Sequence, residues 1–167
     1  PPGVEVMDVT GKLVYPGLII TNSALGLIEI DQARATVDVS EVGQINPNAR
    51  ADIAYNPDSD VPPTIRSNGI TTAMIVPQGG LLSGTSSLIM LDGWTREDMT
   101  LKKTVGVHLN WPYMRVIKAW WMPTPEEEQR KNIDKNLKAI EKAFDEAKQY
   151  WLAKKGNQTG DFKIDTR

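Results

Sequence analysis

The sequence predicts an α/β fold, and three observations predict it. Ile70 to Val76 reads ITTAMIV, a β-branched and apolar run that suits a strand. Leu18-Ile19-Ile20 is a second compact apolar run, of the kind buried on both faces of a sheet. Thr124-Pro125-Glu126-Glu127 is a capping box with proline at the first helical position, and it opens a long helical pattern. Strands and helices alternate along the chain, which argues for a parallel sheet.

Taken in order, Val4 to Val9 alternates apolar and acidic residues and reads as a short strand. Thr10-Gly11-Lys12 is a turn, Leu13 to Tyr15 is extended, and Pro16-Gly17 breaks it. Residues 31 to 58 read as loop, with Asn-Pro pairs at 46–47 and 56–57. Ser59 or Asp60 caps a short helix reaching Asn68, with Pro62 in its first turn and Gly69 as the residue that ends it. Pro77-Gln78-Gly79-Gly80 closes the strand at 70–76, and Thr104 to Leu109 is a third strand. In the long helix, Ile133, Leu137, Ile140, Phe144, Ala147 and Trp151 recur at 4-3-4-3-4 spacing. That seam fits one helix docked by one face on a sheet or helix, or a coiled-coil seam. Glu126 to Glu128 oppose the positive end of the helix dipole, Lys154 and Lys155 its negative end, and Gly156 can end the helix.

Composition narrows the function. A chain of 167 residues suffices for one domain with a sizeable core. Net charge is −2, so no basic excess exists to neutralise phosphates, and nucleic-acid binding is not expected. Neither side of Pro125 is a charged tail: 9 Lys+Arg against 12 Asp+Glu precede it, and 10 against 9 follow. The absence of cysteine removes disulfides, thiolate nucleophiles and cysteine zinc sites. No apolar run approaches the roughly 20 residues of a membrane span. The opening Pro1-Pro2-Gly3 reads as a boundary inside a longer protein.

Several short motifs occur in a telling order. Tyr15-Pro16-Gly17-Leu18-Ile19 leads into the first strand, and Gly69-Ile70-Thr71-Thr72 opens the next. Between and after them stand Gly26-Leu27-Ile28-Glu29-Ile30, Asn56-Pro57-Asp58-Ser59 and Gln78-Gly79-Gly80-Leu81-Leu82-Ser83-Gly84-Thr85-Ser86. Over about residues 4 to 112 the sequence resembles the amidohydrolase superfamily, specifically an exported bacterial subgroup of its imidazolonepropionase-like branch. The resemblance implies a (β/α)8 TIM-type barrel with a small β-sandwich. A barrel typically needs ~250 residues, so this chain is expected to hold only a partial one. Residues 1–17 would end the sandwich, 18–123 would supply the first barrel strands and loops, and 124–156 the long helix. Residues 157–167 would form a tail leading to the next barrel strand. The resemblance also implies a hydrolase acting on carbon–nitrogen bonds other than peptide bonds, a divalent metal such as zinc, and a periplasmic or secreted location.

The sequence departs from that pattern where the chemistry should sit. The family's first strand ends in His-x-His, two imidazoles on one metal. Aligned through Leu25-Gly26, those positions are Asn22 and Ala24, and the acid expected before them is Ile20. A methyl group cannot ligate, and an amide oxygen is a poor zinc ligand. The chain is therefore expected to bind no metal and to be inactive in isolation, with no catalytic residue assigned. A non-catalytic barrel relative, acting as a ligand-binding or structural interaction protein, is the alternative. Its partners would be the remainder of a parent chain or another copy, with a small-molecule ligand possible.

The candidate ligand-binding residues are Asn22, Gln78, Gly79, Gly80, Ser83, Thr85, Ser86 and His108. The stretch from Gln78 to Ser86 reads as a glycine- and hydroxyl-rich loop after a strand. It fits either a pocket lining that presents N–H groups to an anion or a turn packed on its neighbours. Ser83, Ser86 and Ser87 have no adjacent base in sequence. His108, the only histidine, is either a polar group at a barrel mouth or a structural strand-end residue. Trp94, Trp111, Tyr113, Trp120 and Trp121 read as core or subunit contacts, or as the floor of a pocket. Asp92, Glu97 and Asp98 read as solvated or capping acids.

Overall fold

The computed structural model describes residues 3–156. Four strands form one sheet in the order β1-β2-β3-β4: β1 Leu18–Ser23, β2 Ile70–Ile75, β3 Leu82–Met90 and β4 Thr100–Leu109. Three short helices, α1 Ala51–Ala54, α2 Val61–Ser67 and α3 Arg96–Met99, lie in the connections, and α4 Glu126–Gly156 is the long helix. The fold is mixed α/β, as the alternation predicts.

The sheet is not the expected parallel one. β1 and β2 are parallel, with Leu18 opposite Ile70 and Ser23 opposite Ile75. β2–β3 and β3–β4 are antiparallel. The reason is chain length. Only residues 76–81 join β2 to β3, and a parallel crossover needs a dozen or more. The β3–β4 hairpin thus takes the edge of β2 where an all-parallel barrel would place its next strand.

β3 is itself a correction. The Gly/Ser/Thr stretch expected as a loop is the most buried strand of the sheet, with Ser83, Ser86 and Ser87 at 0–1% exposure. It pairs with β2 through Ser87–Met90. Nearer its start, the segment around Gln44–Arg50 runs beside it: Leu82 donates its N–H to Gln44 O at 2.9 Å and Thr85 to Ala49 O at 2.8 Å. Gly84 is needed there. Its φ is +126°, and a Cβ would stand 2.7 Å from Ala49 O.

β1 differs in the opposite sense. It was expected to be buried on both faces, yet Leu18 and Ile19 are exposed, because β1 is an edge strand with β2 as its one sheet neighbour among the described residues. The strand expected at Val4 to Val9 does not form. Those residues are irregular and exposed, and among the described residues none pairs with them in a ladder. The turn after them does form, with Thr10 N–H and hydroxyl both on the Asp8 carboxylate.

The core is Leu25, Leu27, Ala51, Tyr55, Ala73, Ile75, Ile89, Leu91 and Met99. Ala73 and Ile89 sit opposite each other across β2 and β3, both fully buried. α2 starts as the sequence suggests, but Ser59 is the side chain that accepts from Val61 N–H, at 3.3 Å, while Asp60 makes no cap bond. Gly69 follows the helix at φ +88°.

α4 has only Ile140 fully buried. Ile133 and Leu137 are half-buried, while Phe144, Trp151 and Leu152 are exposed. Its first turn is fastened by Gln129, whose side-chain amide accepts from Ile117 N–H at 2.8 Å and donates to Thr124 O at 2.8 Å. The tryptophans are not core. Trp94 and Trp120 are 90% and 98% exposed, and Trp111, Trp121 and Tyr113 are also exposed.

Candidate functional site

The register gathers most of the candidate residues at one end of the sheet. β1, β2 and β4 finish there and β3 begins there, so Asn22, Gln78–Gly80, Ser83–Ser86 and His108 share that end. Asn22 lies apart on the outer strand. It is exposed and holds φ +57° at the bulge between Ile20 and Ser23. A side-chain amide can adopt that left-handed conformation at modest cost.

The backbone groups and buried hydroxyls at this end are spent on the fold. Gln78 N–H donates to Val39 O at 2.7 Å, and Leu81 N–H to Gln44 O at 2.7 Å. The carbonyls of Gly79 and Gly80 both accept from the Asn110 side chain, at 3.3 and 3.1 Å. Gly80 is required by crowding, since a Cβ would meet Gln44 O at 2.9 Å. Ser83 donates to His108 O at 3.5 Å, Ser86 to Gly106 O at 3.2 Å and Thr85 to Pro47 O at 3.5 Å. Buried hydroxyls satisfied in this way are structural. His108 meets the cluster through its carbonyl, opposite Gly84, and its residue is half-buried.

Two polar clusters emerge that the sequence did not signal as sites. Asp52, 7% exposed, takes Arg50 Nε at 3.1 Å and Nη2 at 2.5 Å. Ser87 bridges from the sheet, accepting Asp52 N–H at 3.1 Å and donating to Lys103 O at 2.7 Å. Asp52 and Ser87 are 35 residues apart, and only the tertiary fold joins them. Beside this pair a cleft of about 30 Å³ is lined by Asp38, Ser40, Glu41, Arg50 and Ser83, among others. That volume suits one water rather than a substrate.

The second cluster joins two motif stretches. Glu29 accepts from Asn56 Nδ2 at 3.2 Å and from Ser59 Oγ at 2.8 Å. Tyr55, 3% exposed, packs its ring on Gly26, and its hydroxyl is buried without a partner. Burial, and then the nearby Glu29 carboxylate, push the Tyr55 phenol up to about 12.

A wider open groove of about 680 Å³ lies at the opposite end of the strands, lined by Tyr15, Pro16, Gly17, Leu18, Gly69 and Thr71. It offers no charged side chain to anchor a ligand.

The residues at the end of β1 do not fit a metal. That position presents an exposed amide at Asn22 and a methyl at Ala24. Among the described residues, no three His, Cys, Asp or Glu side chains come together as a metal-holding group. Nor, among them, is any helix long and apolar enough to cross a membrane.

The architecture defines the class: a mixed α/β segment with a four-stranded sheet and a long trailing helix. Among solved structures, the crystal structure of an amidohydrolase from Thermotoga maritima MSB8 shares this fold with a TM-score of 0.76 at 21% identity. The likeness covers 100% of this chain and 43% of that one, so the chain spans less than half of that structure's length. No family model and no curated protein matches the sequence.

Proposed function

We propose that this chain is the scaffold portion of an amidohydrolase-like protein, supplying strands and packing rather than the chemistry of the site. Carbon–nitrogen hydrolysis would belong to the fold's relatives and to any longer protein that carries this segment. In this reading β1 and β2 are the first two strands of a partial barrel, and the β3–β4 hairpin extends them. One observation carries it: at the strand ends, where a metal-dependent hydrolase holds its ligands, Asn22 and Ala24 stand and the nearby hydroxyls bond to backbone carbonyls. A zinc site needs several deprotonated or imidazole ligands converging in a fixed geometry, and here positions 22 and 24 supply none, while His108 is the single imidazole of the chain.

Zinc titration by calorimetry, combined with an assay for hydrolytic ring opening of cyclic amide substrates, which creates a carboxylate and an amine in one product, tests the reading. The chain should show neither tight zinc uptake nor turnover. The double variant Asn22→His/Ala24→His should gain measurable zinc affinity, since it restores two imidazoles two residues apart. Tight uptake of one zinc per unmodified chain, or amide hydrolysis by it, would overturn the proposal.

A further inference from the structure

The seam on α4 is covered only in part. Ile140 is its one buried residue, while Phe144 and Trp151 are 58% and 56% exposed. From Phe144 to Gly156 the helix runs about 20 Å further at 1.5 Å per residue. An apolar seam at 3.5-residue spacing is the pattern by which helices pair.

The flanking charges select a partner and a direction. With Phe144 and Trp151 at position a of a heptad and Ile140 and Ala147 at d, the e positions are Asp134, Glu141, Lys148 and Lys155. Two acids are followed by two bases. The g positions, Gln129, Asn136, Ala143 and Tyr150, carry no charge. In a parallel pair e faces g, so these charges would find no counterpart. In an antiparallel pair e faces e, and Glu141 then meets Lys148 of the second copy while Asp134 meets its Lys155, each twice by symmetry. The same register sets the large Phe144 against the small Ala147, so the layers interlock. All four e-position side chains are exposed. The ion pairs within the helix use Glu127–Lys131 and Lys142–Glu146 instead.

We propose that α4 from Asp134 to Lys155 is a self-association surface that pairs antiparallel with the same stretch of a second copy. The two-fold axis passes between Phe144 and Ala147, which makes the interface isologous and closed. The inference is independent of the proposed function.

Sedimentation equilibrium of the whole chain, from micromolar to several hundred micromolar, tests it. A reversible dimer is expected. Glu141→Lys places lysine against Lys148 twice and should weaken it about tenfold or more, in line with the cost of like charges at close quarters. Adding Lys148→Glu reverses both partners and should restore the original affinity. The chain has no cysteine, so Ala147→Cys provides a single thiol beside the axis, and it should form a disulfide-linked dimer on oxidation, whereas Lys138→Cys should not. A chain that stays monomeric would overturn the proposal and leave the seam to further residues of a longer protein. A dimer indifferent to Glu141→Lys, or a weakening that Lys148→Glu fails to repair, would overturn it equally.

Discussion

Removing one oxygen atom should make this protein less sensitive to alkali. Tyr55 is 3% exposed and its hydroxyl has no hydrogen-bond partner. Burial first, then Glu29, raise its phenol to about 12 from an ordinary 10.0. The folded state therefore keeps a proton that the unfolded chain releases near pH 10. Stability from this group is complete below pH 10 and is lost as pH rises toward 12. Two pH units at 1.36 kcal/mol each give about 2.7 kcal/mol in full, and about 1.4 kcal/mol at pH 11. Tyr55→Phe has nothing to ionise. It also removes a buried, unpaired donor, whose desolvation costs about 1–3 kcal/mol. Urea unfolding of both proteins at pH 8 and pH 11 separates the effects. At pH 8 the variant should match or exceed the parent in stability. Between pH 8 and 11 the parent should lose about 1.4 kcal/mol more than the variant, a comparison that cancels the lysines and other tyrosines. Parallel losses in the two proteins would mean that the phenol ionises alike in the folded and unfolded chains, and a variant weakened by more than about 1 kcal/mol at pH 8 would mean that the hydroxyl has a partner; either result would refute the reasoning.

Gly26→Ala should destabilise by roughly 2–4 kcal/mol, since φ is +72° and the new Cβ would lie 2.4 Å from the Tyr55 ring; urea midpoints measure it. Ile75→Ala and Ile89→Ala each empty a fully buried site between β2 and β3 and should cost about 2–5 kcal/mol in the same assay. Trp120→Ala should leave stability within about 0.5 kcal/mol, because that ring is 98% exposed; a larger loss by thermal melting would mean it is packed.

The parts of the fold legible in the sequence were those whose signal is local. The β-branched run of β2, the proline and glycine that bracket α2, and the 4-3 spacing of α4 each carry their own periodicity or cap. β3 was illegible because its residues have weak strand propensity. Ser83, Ser86 and Ser87 are tolerated there by cross-strand bonds to β4 carbonyls, and Gly84 by the close approach of Ala49, none of which a local pattern reveals. The antiparallel turn was hidden with it, since the expected next strand at Thr104 left length enough for a crossover, and only β3 shortens the connection to residues 76–81. The exposure of β1 was not legible either, because an apolar triplet carries no record of whether anything packs against it. Of the candidate site, Gln78 to Ser86 and Asn22 were expected at the ends of the first two strands and His108 either at a barrel mouth or as a structural strand-end residue, but the direction of their polar groups was not legible. Arg50, Asp52 and Ser87 assemble only once α1 lies on β3.

The motifs that carry the family resemblance acquire a physical meaning from these contacts. Glu29 belongs to one motif and Asn56 and Ser59 to another, 27 and 30 residues away, and they meet as one carboxylate with two donors. Gly26 lets Tyr55 lie flat against the turn after β1, and Asn56 N–H reaches Gly26 O at 2.9 Å. Gly17 does the same at the start of β1, where a Cβ would stand 2.1 Å from the Thr71 hydroxyl. Gly80 and Gly84 admit the backbone around Gln44 and Ala49. Gly17 apart, each of these residues closes the long excursion between β1 and β2 or seats it on the sheet. Their requirement is steric and short-ranged, so it persists whatever side chains occupy positions 22 and 24. The contacts that build the first two strands therefore rest on residues other than Asn22 and Ala24.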